Sequence, residues 1–130
     1  MERCIKFRAK DKFTNKWVFG DFTHSQKVTE TGLEPCVMVG GYEVIEDTVG
    51  QFIGLKDKNG IEIYEGDVFK LPLLYGVAMH QVRISPHHLC VEIKNITLQD
   101  WNNLNDCWWD EFKNGIEIVG NIFDTTELLK

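Results

Sequence analysis

The sequence predicts a mainly β fold of the β-rich α+β kind: a small sandwich or barrel with one or two short helices. Three observations support this. Short runs alternate apolar and polar residues with period two, the spacing of a half-buried strand. Turn signals built on Gly, Asn, Asp or Pro interrupt those runs roughly every 8–12 residues. Helical periodicity is confined to one segment late in the chain.

Taken in order, Ile5, Phe7 and Ala9 alternate with Lys6 and Arg8 and give a first strand. The stretch DKFTN breaks the pattern, and Trp17, Val18, Phe19 and Phe22 around Gly20 form the returning strand of a hairpin. Residues 24–34 are rich in Thr, Gln, Lys and Glu, which predicts a mobile loop or a boundary between lobes. Residues 36–39 and 42–45 flank Gly40-Gly41, a second hairpin whose turn needs positive φ. Residues 48–55 are β-prone. Asn59-Gly60 predicts a type I′ turn with φ > 0 at both positions. It folds 55–58 against 61–64 and puts Ile61 and Ile63 on one face. Glu65-Gly66-Asp67 makes another turn, and 68–71 begins a new strand. Residues 77–84 and 88–94 are strands separated by Ser85-Pro86. Leu98, Trp101, Leu104 or Asn105, Trp108 and Phe112 recur at helical spacing, which predicts a short amphipathic helix between Thr97 and Phe112. Ile116, Ile118, Gly120 and Ile122 give a last strand. Asp124-Thr125-Thr126-Glu127 has capping-box spacing before Leu128-Leu129, which predicts a terminal helical turn.

Composition limits function. The chain has 130 residues, a single-domain length; 43% hydrophobic and 26% charged residues describe an ordered globular protein rather than a disordered one. The formal net charge is -6, from 14 basic and 20 acidic residues. That balance opposes broad phosphate-backbone binding and leaves room only for a local basic patch. Cys4, Cys36, Cys90 and Cys107 are widely spread with no C-x-x-C pair, which predicts free thiols in a cytoplasmic protein rather than a secreted disulfide scaffold. The first residues carry charges throughout, so no signal peptide is expected. No stretch reaches the roughly 18 apolar residues of a membrane span.

The stretch GLKDKNGIEIYEGD, residues 54–67, resembles the signature of the YopX family of bacteriophage and prophage proteins. The opening Ile5-Lys6-Phe7-Arg8-Ala9 and the closing IEIVGNIF at 116–123, followed by Glu127-Leu128-Leu129, are similar to that family's ends. Residues 22–48 and 71–115 do not carry the resemblance. It implies one YopX-like domain over 1–130, with an N-terminal β-hairpin lobe at 1–50 and an SH3-type barrel lobe at 51–130. It implies a phage or prophage origin and the cytoplasm of a bacterial host. It brings no catalytic residues.

Several groups of residues have the chemistry for a site. Asp57, Glu62, Glu65 and Asp67 could act as acid–base or metal-binding carboxylates. The EF-hand pattern fails because Gly60 comes too early. The favoured reading makes Asn59, Gly60, Gly66 and Asp67 turn-defining, with Asp and Asn bonding nearby backbone N–H groups. His87, His88, Cys90 and His80 offer two convergent zinc ligands at best, so packing is preferred. Trp17, Phe19 and Phe22 near Lys6, Arg8 and Lys10 could stack bases, with core packing again preferred. Trp108 and Trp109, ringed by Asp106, Asp110 and Glu111, form the candidate partner surface, because adjacent tryptophans should not both point inward. No Walker, dinucleotide, G-x-S-x-G or H-E-x-x-H motif occurs. The expectation is a non-enzymatic module without cofactor or metal. It binds protein, either its own copies as a homo-oligomer or a host factor, and no membrane. Nucleic-acid binding by an SH3-type barrel is the alternative, disfavoured by net charge.

Overall fold

The computed structural model describes residues 5–74, 76–85, 91–96, 101–104 and 106–125, without the side chains of Asp106, Cys107 and Glu111. Two compact units divide the chain, Met1–Phe52 and Ile53–Lys130.

In the first unit, β1 (Phe7–Lys10) pairs antiparallel with β2 (Trp17–Gly20), from Phe7 opposite Gly20 to Lys10 opposite Trp17. Asp11 closes the connection by accepting the N–H groups of Phe13 at 2.8 Å and Thr14 at 3.0 Å. Those two donors hold its carboxyl below the usual range. Strands β3 (Phe22–Thr29) and β4 (Gly32–Val39) form a long ribbon, and β5 (Tyr42–Glu43) adds a short third strand beside Met38 and Val39. Gly40 and Gly41 carry φ of 61° and 87°, the primed turn that two glycines permit. Ala9, Val37, Val39 and Val44 form the core, with Phe7, Val18, Phe22 and Val49 packed on it. β6 (Gly50–Lys56) leads out of this unit after pairing Gly50 and Gln51 with β1.

The second unit contains β7 (Glu62–Tyr64), β8 (Asp67–Leu73), β9 (Gly76–Ile84), β10 (Val91–Asn95), β11 (Trp101–Asn103), α1 (Asp106–Phe112) and β12 (Glu117–Asn121). Five of these strands make a sheet in the order β11-β10-β9-β8-β12, antiparallel at every junction. A meander thus runs outward from β8, and β12 returns to its other side. β8 is buried along most of its length because it lies inside this sheet: Val68, Phe69 and Leu71 are all under 5% exposed. Phe69 and Leu71 join Ile63, Val82, Ile93 and Ile116 in the core. The architecture is mainly β, as the residue pattern predicts; SH3-type closure remains what the resemblance implies.

Four expectations are corrected. Residues 24–34 are not a loop: they belong to the β3–β4 ribbon, paired from Phe22 opposite Val39 to Thr29 opposite Gly32. Most of its side chains are exposed on both faces, so it lacks the alternation that marks a strand in sequence. The helix does not reach back to Thr97. Trp101–Asn103 is an edge strand on β10, and α1 starts at Asp106. The Asn59-Gly60 turn is not type I′, since only Gly60 has positive φ, 81°. The Gly60 N–H donates to the Asp57 carbonyl at 3.0 Å and the Asp57 N–H to the Ile61 carbonyl at 2.8 Å. That is the three-residue loop with a left-handed glycine at its end. Ile61 falls outside β7 and is 52% exposed, whereas Ile63 is buried. The expected capping box and terminal turn extend into 126–130, outside the described residues.

Candidate functional site

The acidic central motif is built around two buried aspartates. Asp57 Oδ1 accepts the N–H groups of Asn59 at 2.8 Å and Ile61 at 2.9 Å. Its Oδ2 accepts the Ile118 N–H of β12 at 3.1 Å. One carboxylate therefore fixes a local turn and ties it to a strand 61 positions later. Asp67, 2% exposed, accepts the Tyr64 N–H at 2.8 Å across the Glu65-Gly66 turn. Gly66 has φ 89°, and a Cβ there would crowd the Phe123 ring. Glu65 reaches the Ile84 N–H at 3.2 Å. A buried carboxylate aimed at backbone donors is a structural pin, because each donor would otherwise lose its partner out of water. Among the described residues, no group of three His, Cys, Asp or Glu side chains gathers to hold a metal.

His80 lies on the core face of β9, 9% exposed, stacked on Phe69 at 5.2 Å and edge-on to Trp108 at 5.8 Å. Burial pushes its pKa below the ordinary 6.5. His87, His88 and Cys90, its proposed companions as ligands, lie outside the described residues.

On α1, Trp108 and Trp109 are both half-buried and both pack on the core of the second unit. Trp108 also meets Phe112 at 4.9 Å. Each keeps part of its surface exposed, in keeping with neighbours that do not both point fully inward. Consecutive helical residues lie about 100° apart, so a short helix laid on a sheet can bury part of each. Asp110 is 71% exposed and pairs with Lys113 at 3.7 Å. Of the ring of acids, Asp106 and Glu111 have side chains outside the description.

Trp17 does not stand free as a stacking platform: the Arg8 guanidinium lies 4.6 Å and the Lys10 ammonium 5.5 Å from its ring centre. Phe22 packs on Phe7 at 5.5 Å, and Phe19 is 55% exposed. A second such arrangement lies on the five-stranded sheet. Arg83 lies 3.9 Å and Lys94 5.2 Å over Trp101, with Arg83 also bonded to Glu92 at 2.8 Å. Cross-strand register creates it, since Lys94 pairs with Trp101 and Arg83 with Glu92. Sequence spacing alone carried no sign of it.

In the first unit, Lys12, Cys36, Val37, Glu43, Val44, Ile45 and Glu46 line an open depression of about 290 Å³. Glu43 accepts from Lys27 at 2.8 Å and Lys12 at 3.2 Å. These partners hold its carboxyl below the usual range, and Glu43 in turn raises Lys27. The charges of Glu43, Lys12 and Lys27 are thus answered within the chain.

Fold and site together define a two-unit, mainly β protein whose central acids pin turns. The chain belongs to the YopX family: the family described as "YopX protein" matches residues 6–130. Among solved structures it is similar to protein EF1440 from Enterococcus faecalis, with a TM-score of 0.57 and 22% identity, over 99% of this chain and 100% of that one. That likeness concerns the fold. No curated protein matches the chain. Among the described residues, no helix is long and apolar enough to cross a membrane.

Proposed function

We propose that this protein is a non-enzymatic, protein-binding or self-associating accessory module of phage or prophage origin, acting in the bacterial cytoplasm. The observation that supports it is the apolar exposure at two ribbon ends. Val28 and Leu33, opposite one another, are 84% and 65% exposed. Leu73, Leu74 and Val77 are 49%, 88% and 60% exposed. Single exposed apolar residues are ordinary, but neighbouring ones at a hairpin end suit a contact surface. Light scattering of the purified chain, with affinity capture from host lysate, tests the reading. The expected result is a mass above the 15.1 kDa monomer or a specific captured protein. A strict monomer that captures nothing overturns it.

One observation favours nucleic acid as the second reading: the cations around Trp101 combine charge with an aromatic face. Gel shifts at low salt should then retard single-stranded DNA or RNA, and Trp101→Ala should abolish the shift. No retardation by the intact chain ends this alternative.

A further inference from the structure

The two edges of the β3–β4 ribbon differ. Glu30 and Thr31 join Thr29 to Gly32, which face one another across a two-residue turn. The same register extends to Asp21, whose carbonyl accepts the Gly40 N–H at 3.0 Å. Bonded and non-bonded residues alternate along an antiparallel strand. Thr23, Ser25, Lys27 and Thr29 therefore direct their main-chain groups at β4. Phe22, His24, Gln26 and Val28 direct theirs outward. β3 is the end strand of its sheet, and among the described residues no strand takes up those outward groups.

The other edge is protected. Pro35 stands opposite Gln26, where a residue's N–H would point away from β3, and proline has no N–H to offer. Beyond it, β5 covers Met38 and Val39. β3 has no proline, and its one charged side chain, Lys27, is already paired with Glu43 at 2.8 Å; an edge of this length with so little protection is a template for strand addition.

The sequence of β3 is complementary to itself. An antiparallel pairing centred on Ser25 sets Phe22 against Val28 of a second copy, Thr23 against Lys27, and His24 against Gln26. Outward-bonding residues meet outward-bonding residues throughout. Lys27 carries the one formal charge on β3 and meets a threonine rather than itself. Exposed Val28 meets half-buried Phe22, on the face that also carries Leu33, Val37 and Val39. Opposed apolar pairs favour a register, and opposed like charges disfavour it.

We infer that β3 is a self-association edge, where two copies pair their β3 strands antiparallel about a two-fold axis at Ser25. The pairing forms about eight main-chain hydrogen bonds and one sheet shared by both copies. The inference rests on the protein-binding reading above and names its partner as a second copy of this chain.

Ser25 is exposed and sits opposite itself, so charge placed there tests the axis. Light scattering over a dilution series should show the intact chain as a dimer. Ser25→Lys and Ser25→Glu should each raise the dissociation constant at least tenfold, and mixing the two should restore a dimer. Gln26→Pro removes only an outward N–H, so it should give a monomer with an unchanged far-UV circular dichroism spectrum. A dimer indifferent to all three substitutions places self-association elsewhere and overturns the β3 pairing while the protein-binding reading stands. Failure of the mixture to restore the dimer overturns the two-fold register. A monomeric intact chain overturns the pairing outright, and only an empty lysate capture as well removes the broader reading.

Discussion

The β3–β4 and β8–β9 hairpins have the same antiparallel topology and opposite means of support. β8–β9 lies within a five-stranded sheet and sends Phe69, Leu71 and Val82 into a core. β3–β4 is anchored at its base by Val37, Val39 and Phe22, while its far half exposes both faces. The difference shows that a strand here is held by either of two causes. Burial of one face holds β8 and β9; turn chemistry and a packed base hold β3 and β4. A buried hairpin resists change at its side chains, and an exposed one is sensitive where its backbone bends.

The largest effect should come from breaking the buried side of this contrast. Phe69→Ala should lose about 3–5 kcal/mol of unfolding free energy, read by urea denaturation, because it empties a closely packed site. Asp57→Ala should follow, at roughly 2–3 kcal/mol, since it strips an acceptor from three N–H groups, including Ile118 on β12. Asp57→Asn keeps one oxygen acceptor and should recover part of that loss. On the ribbon side, Gly40→Ala should cost about 1–3 kcal/mol. Its φ is 61° and a Cβ would collide with the Phe19 carbonyl oxygen. At the ribbon tip, Leu33→Thr should change monomer stability by no more than about 0.5 kcal/mol, since Leu33 is 65% exposed.

His80 sharpens the comparison through pH. Its folded pKa lies below its unfolded value near 6.5, so the unfolded chain binds the proton more readily. Its neutral form therefore contributes stability that is complete above pH 6.5. That contribution is lost as pH falls from there through the lowered folded pKa. Denaturation measured between pH 8 and 5 should show this decline, and His80→Phe should flatten it. Equal slopes for the two chains would remove His80 as the cause.

Much of the fold is legible in local chemistry. Gly40-Gly41 announces its turn because two glycines accept positive φ. The alternation of Ile5, Phe7 and Ala9 announces β1, but not its burial: Ile5 is 59% exposed ahead of the strand, while Arg8 on the other face is buried. The central motif reveals its turns through Gly60, Gly66 and the aspartates beside them. It does not reveal that Asp57 also holds Ile118, because nothing local links residues 61 positions apart. Trp101 shows why periodicity misleads: it keeps helical spacing with Trp108 and Phe112, yet pairing with Lys94 draws it into an edge strand.

By itself the sequence determined where the turns fall, the strand-rich class and the family, since these follow from backbone freedom, period-two patterning and a contiguous motif. Tertiary structure alone decided that a polar stretch becomes a paired ribbon, that both tryptophans of α1 settle against one core, and that β3 keeps an unoccupied edge among the described residues. Those outcomes depend on which distant segment supplies a hydrogen-bonding or packing partner, and a partner's position is a property of the folded chain.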